Sequence, residues 1–516
     1  MSSSRPMSAG RAGSSRRRRA LPLAATAAAL ALTATACAGG GSGSASGAGE
    51  GGRLRVALAF PPAQAMSPYG DDAVTLSRLA VVEGLTSLGK NGEALPSLAT
   101  EWKPDGEKNW TFTLRKAVFQ DGKPVDAASV VRALSAAEKA SPKPRVLSDT
   151  DIEATATGAQ TVRITTKTAD PLLPQRLANP SLAILSAGAY TGGKVNPAGH
   201  ATGPYTLSKL TGAVSATLSR NDSYWGTKAK APGVDVKFVA DGKARANALR
   251  AGQTDIAEYV PVSQASLLAK DQVREVPTAR TNSLYLNTRK GAFADASTRA
   301  AARAAIDSKA LVEGVYEGRA DPAQGLFGPG VAWAAGQRVP VEGRAAAAPR
   351  DKVARAGEIV LATYTNRPEL PEVATAVQQQ LEKAGFKVRQ VVRDYAQMEA
   401  DALGGRFDAF ILPRNTLLDT GDPSSYLASD FTCSGSFNIS QLCDKKVDAA
   451  VAKSVAAVDT ATRQAAEMKA EAAVLGTDAV VPLVHERFVQ GVGKGVEGVS
   501  LDPMERTLVT ADTRIG

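Results

Sequence analysis

The sequence predicts a mixed α/β protein with at least two lobes. From Arg53 onward, strand-like and helix-like segments alternate, which is typical of a sheet with helices packed on it. If residues 1–36 are removed as an export signal, 480 residues remain, more than one hydrophobic core usually serves. The C-terminal third contains a strand–helix–strand order typical of a parallel sheet.

Residues 1–36 are interpreted as a signal peptide. Arg16 to Arg19 precede a stretch rich in Leu and Ala that is too short to span a bilayer, which takes about 20 consecutive apolar residues. The small residues Ala34 to Ala36 resemble a lipobox, although leucine is more usual at Ala34. We expect Cys37 to carry a lipid anchor. The alternative is an ordinary signal peptide with an incidental cysteine.

The residues after Cys37 predict the local structure of the N-terminal segment, and the net charge limits the possible partners. Residues 37–52 are rich in Gly and Ser and predict a flexible tether. Residues 1–36 hold six arginines and no acidic residue, so their removal leaves 55 basic residues against 51 acidic ones. The net charge falls from +10 to +4, so no nucleic-acid partner is expected. The arginine run permits either Sec or twin-arginine export.

Two more cysteines, Cys433 and Cys443, lie close together in the sequence. In an exported chain this spacing favours a disulfide, which would stabilise the fold by roughly 2–3 kcal/mol in the chain-entropy model. Two unpaired buried cysteines are the alternative.

The first part of the chain predicts strands joined by tight turns and two capped helices. A helix after Asp72 carries Val74, Leu79, Val82 and Leu85 at three- to five-residue spacing, and Asp126 opens a second helix. The other predicted elements are a strand at 53–60, alternating residues at 109–125 with a turn at Asp121-Gly122, a hairpin at 148–168 turning near Gly158, and a strand pair at 203–220.

The second part predicts longer elements. A strand at 234–240 is followed by a helix at 243–251, and a strand at 282–288 leads past Asp295 into a long Ala-rich helix. A loop dense in Gly, Pro and Ala spans about 318–355. The remaining predictions are strands at 358–364, 386–394 and 407–413, with a helix at 370–384 and another helix before the last strand.

Several enzyme motifs are incomplete. The stretch from Gly84 resembles a phosphate-binding loop but has Asn91 where Ser or Thr must hold magnesium. The stretch from Gly493 has dinucleotide-motif spacing but precedes a strand-like segment. His485 begins a zinc-protease-like pattern without its second histidine, and His200 is the only other histidine, so histidine-ligated metal catalysis is not expected. A serine triad with one histidine stays an alternative.

A set of ordered blocks between about Arg53 and Val492 resembles the family 5 extracellular solute-binding proteins of ABC importers, the peptide- and nickel-binding receptors. The blocks are LAVVEGLTSLGKNGEALPSLATEW at 79, NWTFTLRKAVFQDGKPVDAASVV at 109, ATGPYTLSKL at 201, RNDSYWG at 220, LRAGQTDI at 249 and SLYLNTRKGAFADASTRAAARAAID at 283.

The resemblance implies a two-lobed fold of the periplasmic-binding-protein-like class II, with an extra domain inserted in the first lobe. Lobe I would comprise residues 53–85, 202–284 and 480–516, the extra domain 86–201, and lobe II 285–479. The segments NSLYLNT and VPLVHERFV would be the two strands that cross between the lobes.

The resemblance also implies candidate ligand residues. Peptide-binding members have an aspartate three residues before an acid-Pro pair, and it takes the peptide's α-ammonium group; Asp419 stands in that position before Asp422-Pro423. A turn or cap role is the alternative for Asp419 and the expected role for Asp422. Arg414 is a further candidate for a ligand carboxylate. Thr416 stands where peptide receptors commonly have tryptophan, which predicts a wider or more polar pocket.

The implied function is a receptor without catalytic activity or cofactor that delivers short peptides to a permease driven by an ATPase, and we expect it to be a monomer. It would touch the membrane only through its lipid, on the extracytoplasmic face. A receptor of the same fold for nickel or another metal chelate is the nearest alternative. An exported peptide or ester hydrolase and a sugar receptor are the others, although aromatic residues are only 5% of the chain.

Overall fold

The computed structural model describes residues 52–516. The predicted signal peptide, Cys37 and the tether up to residue 51 lie outside the described residues. The strands are β1 Leu54–Leu58, β2 Thr86–Leu88, β3 Ala94–Pro96, β4 Ala99–Pro104, β5 Asn109–Leu114, β6 Ile152–Gly158, β7 Thr161–Thr166, β8 Tyr205–Thr211, β9 Ser215–Arg220, β10 Gly233–Phe238, β11 Ile256–Ala257, β12 Val273–Leu286, β13 Ala320–Pro322, β14 Glu358–Tyr364, β15 Lys387–Arg393, β16 Ala409–Asn415, β17 Val480–Val492, β18 Val496–Glu497 and β19 Arg514–Ile515.

The helices pack on these strands or connect them. They are α1 Asp72–Arg78, α2 Ala127–Glu138, α3 Leu173–Arg176, α4 Gly242–Arg250, α5 Val262–Ala265, α6 Ala296–Ala305, α7 Ser308–Gly314, α8 Arg350–Ala354, α9 Leu370–Lys383, α10 Glu399–Leu403, α11 Pro423–Phe431, α12 Lys445–Ala456 and α13 Thr460–Gly476. Within residues 52–516, none combines the length and apolar character needed to cross a bilayer.

One sheet of eleven strands runs through both lobes. Its order is β15-β14-β16-β12-β17-β11-β1-β10-β9-β8, with β13 paired to β17. β14 runs parallel to β15 and β16, as the strand–helix–strand order predicts, and β1 runs parallel to β10 and β11. A parallel unit therefore lies on each side of the β12–β17 pair. The mixed α/β class is confirmed.

β12 and β17 contain the two segments predicted to cross between the lobes, and they pair antiparallel. The register shifts between Pro277 and Thr281, opposite Glu486. Such an irregularity re-aims side chains and lets a ladder bend. It places Arg280 and Glu486 at the crossing point.

A separate sheet of four strands, in the order β4-β5-β7-β6, lies within the segment assigned to the extra domain. The guanidinium of Arg115 in this segment lies 3.6 Å from the ring centroid of Trp225, a cation–π contact with lobe I. Trp225 Nε1 also donates to Glu83 at 2.9 Å. The Arg115–Trp225 contact attaches the extra domain to the RNDSYWG block of lobe I, and the Trp225–Glu83 hydrogen bond lies within lobe I. The exact domain boundaries stay a prediction.

Each part has its own hydrophobic cluster. The largest is built from β14, β16, α9 and their neighbours in lobe II, a second from β1, β8, β9 and β10 in lobe I, and a third from α2 and the four-stranded sheet. The chain thus buries several cores, as its length predicts.

Two predicted helices are wrong in extent. The helix after Asp72 ends at Arg78 because Ala80 takes a left-handed conformation with φ +53°. Asp72 lies inside this helix, and its carboxylate accepts backbone N–H groups from residues 63–66 at 2.8 Å. The Ala-rich helix after Asp295 is two helices, because the chain becomes extended at Ile306 before α7 begins.

The disulfide between Cys433 and Cys443 is present, with the sulfur atoms 2.06 Å apart. It closes a loop that follows directly from α11. The loop lies beside Asp419, as described next.

Candidate functional site

Asp419 lies in the loop between β16 and α11, where lobe II meets the extra domain. Its Oδ1 accepts hydrogen bonds from Arg145 Nε at 3.1 Å and Arg145 Nη2 at 2.9 Å. Arg145 belongs to the extra domain and precedes Asp419 by 274 positions. No residue within 52–516 donates a hydrogen bond to Asp419 Oδ2. One carboxylate oxygen is therefore used by the protein and the other is available.

Burial and charge act on Asp419 in opposite directions. Its side chain is 13% exposed, and lost hydration opposes its ionisation. The charges of Arg145 and Arg414, with the hydrogen bonds from Arg145, outweigh this effect and hold the pKa of Asp419 below its usual value. Asp419 is therefore a poorly hydrated carboxylate at neutral pH, and such a group needs cationic or hydrogen-bonding partners.

Two side chains also hold the main chain of this loop. Asn179 Nδ2, from the extra domain, donates to the carbonyl oxygen of Asp419 at 2.9 Å. Arg506, from the C-terminal part of lobe I, donates to the carbonyl of Leu418. Burial lowers the pKa of Arg506 to about 10. The loop carrying Asp419 is thus held from two directions.

A backbone contact brings lobe II against the extra domain. Gly92, in the turn between β2 and β3, and Gly421 approach so closely that a Cβ atom built on Gly92 would lie 1.9 Å from Gly421 O. Together with the Arg145–Asp419 ion pair, this contact shows that the lobes are closed on one another here.

Asp422 is confirmed as a helix cap. Its Oδ1 accepts the backbone N–H of Ser424 at 3.0 Å at the start of α11, and its Oδ2 accepts Arg463 Nε at 2.8 Å. Burial and the charge of Asp422 raise the pKa of nearby Glu467 to about 11. This group of charges lies under the loop and supports its shape.

Arg414 lies at the end of β16 but is paired inside lobe II. Its Nε and Nη2 donate to the two oxygens of Asp430 at 2.6 Å and 2.7 Å, and its guanidinium lies 4.3 Å from the ring centroid of Phe437. These contacts favour a structural role for Arg414 and do not support contact with a ligand. The predicted ligand contact stays a prediction. Thr416 is buried and donates to the carbonyl of Ala279 at 3.1 Å.

A second group of charged side chains, which the sequence pattern did not reveal, lies where β12 and β17 cross. We call it the hinge pocket. The residues that line it include Phe60, Tyr259, Arg367, Glu486, Phe488 and Glu505. Arg367 follows the carboxyl end of β14, so the rule that selected Asp419 after β16 could have found it.

Arginines and glutamates alternate around Tyr259 in the hinge pocket. The closest N–O distances are 2.6 Å for Arg78–Glu258, 3.0 Å for Arg280–Glu505 and 3.1 Å for Arg367–Glu486. Tyr259 donates its hydroxyl hydrogen to Glu505 Oε2 at 2.5 Å, and its ring centroid lies 5.1 Å from the Arg367 guanidinium. Lobe I, the crossing strands and lobe II therefore meet at one charge network.

The network shifts the pKa of its members. Burial disfavours the charged form of Glu505, but the charges of Arg280 and Arg367 lower its pKa to about 2. Burial and the charge of Glu505 raise the pKa of Tyr259 to about 12. At neutral pH Glu505 is thus ionised, and the Tyr259 phenol beside it is neutral.

Two tyrosines lie between the hinge pocket and Asp419. The ring centroids of Tyr364 and Tyr395 are 5.0 Å apart. Tyr364 lies close enough to feel the charge of Arg367, and Tyr395 that of Arg145. This ring pair therefore links the surroundings of Arg367 with those of Arg145.

A polar pocket opens beside Asp419, between the extra domain and lobe II. It is lined by Arg145, Ser148, Asp149, Asp419, Ser425 and Ser429, and by the start of the disulfide-closed loop. Most of the lining residues carry a hydroxyl group or a charge, so the pocket suits polar groups that retain water.

One cluster tests the serine-triad alternative. Ser186 Oγ donates to Asp121 Oδ2 at 2.6 Å and also lies 2.9 Å from His200 Nδ1. The same Nδ1 lies 3.3 Å from Asp121. A triad needs the serine on one ring nitrogen and the aspartate on the other. This arrangement therefore does not form a serine relay.

The second histidine, His485, is held by contacts within the fold. His485 is buried against Thr281, with Nδ1 and Oγ1 2.9 Å apart, and burial lowers its pKa to about 4. Within residues 52–516, no three His, Cys, Asp or Glu side chains are grouped as a metal site requires.

Comparison with known proteins identifies a family and a fold. The family profile for bacterial extracellular solute-binding proteins, family 5, matches residues 93–438, more than half of the chain. The chain is 27% identical to a probable D,D-dipeptide-binding periplasmic protein, DdpA, of Escherichia coli K12, over 81% of this chain and 84% of that protein. It is 28% identical to the glutathione-binding protein GsiB of Salmonella paratyphi A, over 85% and 90%.

A solved structure has the same fold. NikA from Staphylococcus aureus, crystallised in complex with Ni(L-His)2, superposes with a TM-score of 0.77 at 21% sequence identity. The match covers 90% of this chain and 100% of NikA. The predicted two-lobed fold is thereby confirmed.

Proposed function

Because the chain belongs to the family 5 bacterial extracellular solute-binding proteins, we propose that it captures short peptides between its lobes for an ABC importer. The observation that carries this proposal is the available Oδ2 of Asp419, a buried carboxylate at the closing surface of the cleft. The D,D-dipeptide- and glutathione-binding names of its relatives support the same ligand class.

The chemistry of the cleft fits a peptide's charged ends. The α-ammonium group would donate to Asp419 Oδ2, because a desolvated ammonium needs a carboxylate partner. At the other end, Arg367 offers a guanidinium that could exchange its contact with Glu486 for the ligand's carboxylate. Tyr364 and Tyr395 would line the path between them.

Broad specificity follows from the side walls. The polar pocket is lined mainly by hydroxyl-bearing and charged side chains, and water between these groups and a ligand side chain can rearrange its hydrogen bonds. Specificity would then depend on the ligand's backbone ends rather than on one side chain.

The same proposal covers location and partners. Cys37 would hold the chain by a lipid on the extracytoplasmic face, where the closed form would meet the permease. The protein would act as a monomer and release its ligand unchanged. The shared Nδ1 of His200 argues against serine hydrolysis, and turnover of a fluorogenic peptide and ester panel would contradict this part.

Calorimetry with a panel of unmodified dipeptides and tripeptides tests the proposal. We expect binding by wild type, and Asp419→Ala should weaken it by roughly 3–5 kcal/mol because an ammonium is left unpaired. Asp235→Ala is the matched control, since Asp235 pairs with Arg53 at 2.8 Å in the strand region of lobe I. Equal affinities for both variants would contradict the anchor role of Asp419.

A metal chelate is the second candidate, because the hinge pocket presents arginines suited to the carboxylates of a chelator. With no grouped metal ligands within residues 52–516, the chelator would supply most of the metal's ligands. Metal analysis and mass spectrometry of the protein purified without added ligand distinguish a nickel chelate from a peptide.

A further inference from the structure

The side chain of Arg245 is among the largest that the fold buries completely, with 2% exposure. It lies on α4 in lobe I and is itself one of the residues that line the hinge pocket. Its guanidinium makes no hydrogen bond to a carboxylate within residues 52–516, and burial lowers its pKa. A buried cation without a paired anion is expensive to maintain, so its contacts require a specific explanation.

All the hydrogen bonds of Arg245 go to main-chain carbonyls. Nε donates to Glu258 O at 2.7 Å and Nη2 to Tyr259 O at 2.7 Å. Nη1 donates to Val239 O at 2.7 Å and Ala240 O at 3.0 Å. One side chain therefore ties the end of β10 to the segment that follows β11.

That segment supplies Tyr259, which lines the hinge pocket, and Glu258, which belongs to the adjoining charge network. Glu258 pairs with Arg78 at 2.6 Å and accepts the backbone N–H of Ala59 at 2.6 Å. Tyr259 contacts Glu505 and the Arg367 guanidinium. The Tyr259 side chain lines the pocket, the Glu258 side chain reaches Arg78, and both main-chain carbonyls accept hydrogen bonds from Arg245.

Tyr259 also has an uncommon backbone conformation, with φ +44°. A residue with a β-carbon avoids this left-handed region unless surrounding contacts hold it there. The hydrogen bond from Arg245 to the Tyr259 carbonyl is such a contact. Without it, the segment would relax and the phenol would leave the charge network.

We propose that Arg245 is a positioning residue of the ligand site: its guanidinium holds the Glu258 and Tyr259 carbonyls so that the Tyr259 side chain enters the hinge pocket and the Glu258 side chain reaches Arg78 in the adjoining charge network. This inference rests on the proposed function only in the statement that the hinge pocket binds the ligand. A lysine cannot replace the planar guanidinium group of Arg245, because the compact ammonium group of lysine reaches fewer carbonyl oxygens at once.

Arg299 provides a matched control in lobe II. It is 8% exposed, lies on α6, and also donates to main-chain carbonyls, those of Thr477 at 2.9 Å and Phe293 at 2.8 Å. Burial lowers its pKa as well. Arg299→Lys thus makes the same chemical change in a buried arginine that donates to main-chain carbonyls but does not line the hinge pocket.

The test has one readout that needs no ligand. Tyrosines are replaced by 3-fluorotyrosine, and the ¹⁹F signal of Tyr259 is identified by its loss in Tyr259→Phe. We expect Arg245→Lys to shift and broaden this signal, while Arg299→Lys leaves it unchanged. Arg245→Gln serves as a second variant if the lysine variant is not folded.

The second readout is affinity for the tightest peptide of the dipeptide and tripeptide panel. Arg245→Lys should weaken it by roughly 5- to 50-fold and Arg299→Lys should not. An unchanged Tyr259 signal in both folded Arg245 variants, with peptide affinity equal to that of Arg299→Lys, overturns the inference. If wild type binds no peptide, the proposed function fails, while the ¹⁹F comparison still decides the role of Arg245.

Discussion

Gly92→Ala should prevent full closure of the cleft. The new Cβ would lie 1.9 Å from Gly421 O, whereas ordinary contact begins near 3.4 Å, so the two backbones would have to separate by about 1.5 Å. The obstructing atom is main chain in the loop that carries Asp419, and it cannot rotate away. Inserting a methyl group into a filled contact costs about 1–3 kcal/mol, here in the closed form alone.

A penalty confined to the closed form reduces affinity directly, because ligand binding depends on closure. The expected loss is roughly 5- to 150-fold. Calorimetry with the tightest peptide of the panel measures it. Small-angle scattering of the liganded protein should show a larger radius of gyration than that of liganded wild type.

Gly122→Ala separates this effect from backbone strain. Gly122 has φ +79° against +82° for Gly92, but a Cβ there would meet nothing within 4 Å. Both variants carry the left-handed penalty of about 1–2 kcal/mol, and only Gly92→Ala carries the clash. If the two bind peptide equally and scatter alike, the Gly92–Gly421 contact does not limit closure.

Three other outcomes follow. Glu505→Gln should lower the free energy of unfolding at neutral pH. The pKa of Glu505 is depressed to about 2, so the stabilisation from its ionised form is present above the pKa of the unfolded state and is lost as pH falls through about 2. The difference in the free energy of unfolding between pH 7 and pH 2.5, measured with denaturant, should therefore be smaller for the variant than for wild type. Replacing Cys433 and Cys443 by serine should lower the free energy of unfolding by roughly 2–3 kcal/mol, measured in urea, with no change expected if the bond does not form in the secreted protein. Arg414→Met should reduce stability by roughly 3–5 kcal/mol because Asp430 is left buried and unpaired, and a loss of peptide affinity without a loss of stability would instead make Arg414 a ligand contact.

Local patterns predicted most of the fold. The strand at 358–364, the helix from residue 370 and the next strand appear within one or two residues of their predicted bounds, because their apolar periodicity matches their burial. Asp422 was predictable as a cap from its position before Pro423. The failures, such as the early end of α1, arise where one left-handed residue interrupts a continuing apolar pattern.

The site was less predictable because its contacts join distant parts of the chain. The pattern around Asp419 contains nothing about Arg145, 274 positions earlier. Arg414 precedes its partner Asp430 by 16 positions, and no local sequence pattern predicts that these two residues form a buried ion pair. The hinge pocket depends on a register shift in β12 and β17, which the alternation of residues does not encode.

The closed arrangement also constrains what a ligand must supply. Asp419 already has Arg145 as a counter-ion, so an arriving ammonium does not neutralise an unpaired charge; it adds a second cation beside the same carboxylate. That addition is favourable only if the ligand uses the available Oδ2 and brings an anion to the neighbouring arginines, because like charges at short range repel. A zwitterionic peptide meets this requirement, whereas a simple amine does not. Affinity for the matched N-terminal amine without a carboxylate should therefore be lost rather than merely reduced, and calorimetry with a peptide and its amide compares them directly.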